Sequence, residues 1–288
     1  MCSIILSWNS LTNLALFPGS YLKSSYDVQI EDECVNLLSI PVEQRIFDNV
    51  CFCLPVSIPA ILVNVNKSKS STFCIHFHAN GCDAGSIVRY AKEESREFNC
   101  YYLIVEYANY GLGLGLPSEV VLNTIARSIW TYVENSLLVE PSRIVLIGRS
   151  VGTGPVTYLA SHMESLGKKP AALILHSPYS SIRNAGARWV GIISLCMMDR
   201  WQNWKYLCGG STGQIVTIVT CPVLFIHADN DRIIDKGHSE YMHAGRIQAG
   251  YPSQLFIQNS TSTMIKVCVA SHSAQSYSIP SQNDSLVD

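Results

Sequence analysis

The stretch Ile144-Val-Leu-Ile-Gly-Arg-Ser-Val-Gly152 decides how the rest of the chain is read. An apolar, β-branched run stops abruptly at a serine, Ser150, with glycines two residues to either side at Gly148 and Gly152. Gly-x-Ser-x-Gly is the spacing demanded by a sharp strand-to-helix turn, because the serine backbone is strained and a β-carbon two residues before or after it has no room. Residues 143–147 read as the buried strand and residues 151–162 as the helix that follows. Ser150 is therefore expected at the tip of a nucleophile elbow. The competing reading is an ordinary glycine-rich turn of a doubly wound protein, with Ser150 capping the helix.

Working outward, apolar runs recur at 72–78, 101–106, 171–176, 222–227 and 254–257, each long enough for a buried strand. Between them, Ile87, Tyr90 and Ala91 show helical spacing, Val121, Ile125, Ile129 and Val133 mark one face of a longer helix, and another helix is expected near 235–247. Alternating strands and helices predict an α/β fold with a mostly parallel central sheet flanked by helices. Residues 26–66 alternate short β-rich runs, 27–30 and 61–65 among them, with polar breaks, and predict early, partly antiparallel strands. Within that region 49–66 reads as two strands or as a strand and a turn. Residues 182–213, with Trp189, Met197, Met198, Trp201 and Trp204, interrupt the rhythm and read as a short cap. The expected division is an N-terminal segment 1–25, one domain 26–258 and a Ser-rich, disordered tail 259–288.

Composition narrows the function. With 288 residues and 48% hydrophobic content, one large domain is affordable. Lys plus Arg at 20 against Asp plus Glu at 22, with no basic cluster, argues against nucleic acid as a partner. Eleven scattered cysteines without paired Cys-x-x-Cys motifs suit a reducing, cytoplasmic setting and predict no metal site. Residues 1–22 carry no charge, but polar residues break every apolar run, so no membrane span is expected. Gly111-x-Gly113-x-Gly115 lacks both the dinucleotide spacing and the Lys-Ser/Thr ending of a phosphate loop and reads as a surface turn.

A serine attacks an acyl group only with a base in reach, a carboxylate to orient that base, and amide donors for the oxyanion. The carboxylate is expected just past a late strand, where Asp231 is preferred, Asp229 is the alternate and Asp235 reads as a helix cap. The donors are expected to be the backbone N–H of Val151 and that of Asn80, in the loop after the strand ending at His78.

Taken in order, His78-Ala-Asn-Gly-Cys-Asp-Ala-Gly85, Glu106-Tyr-Ala-Asn-Tyr-Gly-Leu-Gly-Leu-Gly-Leu-Pro-Ser-Glu119, Gly148-Arg-Ser-Val-Gly152 and His227-Ala-Asp-Asn-Asp-Arg-Ile-Ile-Asp235 resemble the α/β-hydrolase superfamily. More narrowly they are similar to its domain-containing serine hydrolases, a group that includes protein depalmitoylases, over about residues 16–257. The resemblance implies cleavage of esters or thioesters without a cofactor, with Ser150 as nucleophile, Asp231 as triad acid, and Val151 and Asn80 as oxyanion donors. It also implies a small-molecule or acylated-protein substrate and leaves peripheral membrane contact and oligomeric state open.

Three departures accompany the resemblance. Ala79 and Gly81 exchange the small residues of the family's His-Gly-Asn-Ala loop. The lipidated N-terminal cysteine cluster of the depalmitoylases is represented only by Cys2. The family histidine directly after the last strand has no counterpart in 258–264, so the base falls to His272, in Ala270-Ser-His-Ser273. His238 and His243 fall in the expected helix after Asp231, and His76, His78 and His176 read as structural. The alternative function is a catalytically impaired scaffold with a binding role.

Overall fold

The computed structural model describes residues 16–17, 24–26, 32–43, 55–66, 70, 72–190, 199–209 and 216–259. Its strands are β1 (Val35–Pro41), β2 (Ser57–Val63), β3 (Phe73–Phe77), β4 (Tyr101–Val105), β5 (Ile144–Arg149), β6 (Ala172–His176), β7 (Val223–Ala228) and β8 (Ser253–Gln258). They form one sheet in the order β1-β2-β4-β3-β5-β6-β7-β8. β1 with β2 and β2 with β4 run antiparallel, and every later pairing is parallel. Helices α1 (Val88–Glu97), α2 (Glu119–Asn135), α3 (Thr153–Ser165), α4 (Ile182–Val190), α5 (Asn203–Cys208) and α6 (Gly237–Gln248) fill the connections.

Period-two alternation sends each strand's side chains into two cores. Phe73, Ile75 and Phe77 of β3, with Ile144 and Leu146 of β5, meet Ile125 and Ile129 of α2 and Val156 and Leu159 of α3. Cys74 of β3 and Val145 and Ile147 of β5 face the other way, toward Val88 and Ala91 of α1. Because both faces are covered, all five residues of β3 are buried, which is why these strands read as continuous apolar runs. Each fully buried Ile, Leu or Phe contributes about 1.5–3 kcal/mol. As the spacing predicts, Val121, Ile125, Ile129 and Val133 are all fully buried along α2. Ser118 caps that helix, its hydroxyl accepting the N–H of Val121 at 3.3 Å.

The early region resolves into β1 and β2, with a turn after β2. Residues 27–30 and 49–54 lie outside the described residues, so the strand expected at 27–30 has no description here. β2 begins and ends earlier than the 61–65 run suggests, since Pro59 and Ser57 are already in the ladder opposite Ser39 and Pro41. Ahead of the expected boundary at residue 26, Phe17 is fully buried with its ring 6.1 Å from that of Trp201, and the N–H of Ser25 donates to Asp83 at 2.7 Å. Trp201 is itself 1% exposed and donates from its indole N–H to Asn123 Oδ1 at 3.0 Å. Trp201 of the expected cap is therefore core packing; Met197 and Met198 lie outside the described residues.

One buried charge joins the last elements. Arg246 of α6, fully buried, donates from Nη1 to the carbonyls of Val219 and Leu207 at 2.7 and 3.2 Å, and from Nη2 to those of Cys221 and Pro252 at 2.9 and 3.2 Å. Arg246→Met is expected to strip the guanidinium from the buried carbonyls of Leu207, Val219 and Cys221, while that of Pro252 keeps the Val223 N–H, and to lower stability by roughly 3 kcal/mol, measured by urea unfolding.

Candidate active site

The chain leaves β3 toward β4 on one side and later enters β5 on the other, so the loops after β3 and β5 diverge above the middle of the sheet. A crevice at such a reversal of strand order is where open α/β sheets bind ligands. At this point Arg149 is extended, with φ −120° and ψ 129°, and the next residue, Ser150, has φ +51°. A side chain in that left-handed region is strained, and the strain lifts Ser150 off the strand end. One 3-10 turn, Ser150–Gly152, then leads into α3, and the Thr153 hydroxyl donates to the Ser150 carbonyl at 2.6 Å.

The flanking glycines are demanded by the packing. A β-carbon at Gly152 would lie 2.2 Å from the carbonyl oxygen of Phe77 and 2.8 Å from that of His78. One at Gly148 would lie 2.6 Å from the carbonyl oxygen of Gly152 and 2.8 Å from Thr153 Cα. The elbow thus presses directly on the end of β3. A β-carbon at Gly81 would meet nothing within 4 Å, so the packing makes no demand for glycine at that position.

The Val151 N–H belongs to the first turn of a helix, where no intrahelical acceptor exists. Its carbonyl accepts the Tyr179 hydroxyl at 3.2 Å. On the facing loop, the Asn80 side chain is committed to structure: Nδ2 donates to the carbonyl of Leu16 at 2.5 Å, and Oδ1 accepts the Tyr110 hydroxyl. What Asn80 can offer an oxyanion is its backbone N–H.

Beneath that loop lies a buried ion pair the sequence reading passed over. His78 Nε2 is 3.0 Å from Glu106 Oε1, and both side chains are fully buried. Glu106 also accepts the N–H of Tyr107 at 2.9 Å, the hydroxyl of Tyr26 at 2.8 Å and the N–H of Ala84 at 3.1 Å. Burial by itself would lower the His78 pKa, but its bonds to Cys82 and Glu106 and the Glu106 charge outweigh this and raise it to about 10. His76 is the opposite case. Burial, then the charges of His78, Arg149 and His176, lower its pKa to about 3, and its Nδ1 is 2.6 Å from the Tyr102 hydroxyl.

Past β7, Asp231 Oδ1 accepts the N–H groups of Ile233 and Ile234 at 2.8 and 3.0 Å. Burial would raise its pKa, yet these bonds, one from Ser177 and the His227 charge hold it below the ordinary value, so the carboxylate stays ionised. Asp229 is exposed, and Asp235 Oδ1 accepts the Gly237 N–H at 2.8 Å at the start of α6. His227 is committed elsewhere, 2.7 Å from the Ser239 hydroxyl and 2.9 Å from the Ile234 carbonyl, with Asp231 Oδ2 at 3.6 Å.

His272 lies outside the described residues. Among the described histidines, His238 Nδ1 pairs with the Ser180 hydroxyl at 3.0 Å and His243 Nδ1 with the Ser253 hydroxyl at 2.8 Å. His176, at the end of β6 and in register with Arg149, lines a cavity of about 450 Å³ together with Arg149, Ser177 and Asp231. Burial first, then Arg149 and His227, lower its pKa to about 4, so the ring is neutral. Among the described residues no cluster of three metal-ligating side chains is present, and no helix is long and apolar enough to cross a membrane.

The sheet order, the elbow and the loops around it define the α/β-hydrolase fold. Solved structures of that fold overlay accordingly. An α/β hydrolase from Vibrio vulnificus matches with TM-score 0.67 at 18% identity, covering 86% of this chain and 85% of its own. EstE1, a thermostable carboxylesterase cloned from a metagenomic library, matches with TM-score 0.58 at 13% identity, covering 90% and 86%. In sequence, the chain is similar to the α/β-hydrolase domain-containing 17 proteins. It is 32% identical over 180 residues to protein 17C of Homo sapiens, covering 62% of this chain and 50% of the relative. The values for protein 17C of Xenopus tropicalis are 32%, 62% and 53%, and for protein 17B of Homo sapiens 29%, 60% and 55%. The chain spans about half the length of the curated relatives it matches. No family model matches it.

Proposed function

We propose that the chain is a cofactor-independent serine hydrolase that cleaves an ester or thioester, of an acylated protein or a lipid, through an acyl-enzyme on Ser150. The Ser150 Oγ attacks the acyl carbon while His272 takes its proton and Asp231 holds the imidazolium. The oxyanion receives the N–H groups of Val151 and Asn80. Collapse expels the alcohol or thiol, which takes the proton from His272, and a water activated by the same base then releases the acid. The observation that carries this reading is the positive φ of Ser150 on a turn whose flanking glycines leave no room for a β-carbon. The ionised state of Asp231 supports its assigned role.

The purified protein is expected to react with a fluorophosphonate probe at Ser150, and Ser150→Ala to abolish the label and lower ester turnover by roughly 10⁴-fold or more. Folded protein that stays unlabelled would overturn the proposal in favour of the scaffold reading, which the commitment of both ring nitrogens of His227 to Ser239 and Ile234 favours. His272→Ala is expected to lower turnover as severely as Ser150→Ala. Unchanged turnover in that variant, with loss in His176→Ala, would move the base to His176, which shares a cavity with Asp231.

A further inference from the structure

The loop between β4 and α2 carries the most conspicuous apolar exposure on the described surface. Leu112, Leu114 and Leu116 are 47%, 75% and 60% exposed, and Val120 just beyond them is 49% exposed. These leucines are held outward by the fold. Tyr107 and Tyr110 turn inward and are buried, while Gly113 packs so closely that a β-carbon would lie 2.0 Å from the Tyr107 carbonyl oxygen. Gly111 and Gly115 take φ of +48° and +98°, where leucine would be strained. The alternation of leucine and glycine therefore has a mechanical meaning: glycines occupy the positions the backbone demands, and every leucine falls on the outer side. The loop is also closed on itself, the N–H of Asn109 donating to Gly113 at 3.1 Å and that of Gly113 to Tyr110 at 2.6 Å.

We propose that this loop is an interfacial docking element, with Leu112, Leu114 and Leu116 entering the surface of a neutral phospholipid bilayer. From 107 to 118 there is no charged side chain. The charges at either end face inward, Glu106 to the buried cluster and Glu119 to the Trp201 N–H at 2.8 Å. A surface turn is ordinarily rich in polar residues. A protein partner would be met by aromatic or arginine anchors and a hydrogen-bonding rim, and a narrow ridge of three aliphatic side chains offers neither. Acyl chains accept such a ridge, each buried methylene adding to the partition. The loop leaves the same edge of the sheet as the elbow, and the Tyr110 hydroxyl ties it to Asn80. Docking here turns that edge toward the bilayer. The docking itself does not depend on the acyl chemistry at Ser150.

Flotation of the full chain with phosphatidylcholine vesicles tests it. The wild type is expected to float with vesicles equally at low and high salt. Leu112→Ser/Leu114→Ser/Leu116→Ser is expected to lose at least roughly 100-fold in partition, with its circular dichroism, melting temperature and elution volume unchanged. Ser150→Ala is expected to float like wild type, so a failed acyl mechanism leaves this result intact. Folded wild type that does not float, that floats only with anionic lipid, or a triple variant that floats equally would overturn the proposal. So would a wild-type dimer that the triple variant dissociates, since the leucines would then cover a second copy of the chain.

Discussion

Glu106→Gln is expected to destabilise the protein by about 3–5 kcal/mol at pH 6, the cost of breaking a buried ion pair and leaving one partner uncompensated. For a domain of this size that lowers Tm by roughly 10 °C. The carboxylate accepts four donors, Oε1 from His78 and Tyr107 and Oε2 from Tyr26 and Ala84, which uses all its lone-pair positions. A glutamine presents an NH₂ to two of them, and His78 loses the charge that holds its proton against burial. The pH dependence supplies a second readout. His78 has its pKa raised to about 10 in the folded state against about 6.5 unfolded. The folded state therefore holds a proton that the unfolded state lacks between these values, so the pair's contribution is full below about pH 6.5 and is lost as pH rises toward 10. Urea unfolding across that range is expected to show wild-type stability converging on that of Glu106→Gln. A stability difference that stays constant with pH would mean His78 is neutral in the fold.

Gly152→Ala is expected to be the most damaging small substitution at the elbow. The added β-carbon would sit 2.2 Å from the Phe77 carbonyl oxygen, 2.7 Å from its carbon and 2.8 Å from the His78 carbonyl oxygen. All three are backbone atoms, so no side-chain rotation relieves the contact, and either the elbow or the end of β3 must move. The expected cost is about 3 kcal/mol or more, with labelling at Ser150 lost in whatever folded protein survives. Gly81→Ala is the matched control. It lies in the facing loop with open space around its Cα, and its effect is expected to stay within about 0.5 kcal/mol. Equal behaviour of the two variants would show that the elbow does not press on β3.

The parallel half of the fold was legible because burial on both faces leaves an unmistakable trace: β3 to β7 are largely apolar runs, with His76 inside β3 and His227 near the end of β7, at nearly the positions expected. The antiparallel edge was legible only in outline: partly antiparallel strands are expected within 26–66 and β1 with β2 supplies them, but the sequence does not place β1. β1 has a burial pattern in which only Val35 and Ile40 are buried, so its composition carries almost no signal above that of a loop. At the candidate site, the sequence places Ser150, Val151, Asn80 and Asp231 just past strand ends, and the structure puts the ends of β3, β5 and β7 there; the roles given to these residues belong to the proposal. The His78–Glu106 pair was missed, although a sign of it is present in the sequence. In the parallel register Phe77 lies opposite Val105, so His78 and Glu106 are each one step beyond equivalent strand ends. A lone charge directly after a buried run suggests a partner at the same height on the neighbouring strand. Trp201 carries no such sign, because a tryptophan in a cap and a tryptophan in a core look alike until its neighbours are known.

The anchoring of the Asn80 loop also bears on synthesis. Leu16, whose carbonyl receives Asn80, precedes it by 64 residues, and Tyr26 precedes Glu106 by 80. At about 5–20 residues per second a ribosome leaves each N-terminal partner waiting roughly 3 to 16 s. Phe17 waits longer still, until Trp201 has emerged. These earlier-made residues are thus secured only by much later ones, and for that interval a phenylalanine and a tyrosine destined for the interior face solvent, in reach of chaperones and of one another on neighbouring nascent chains.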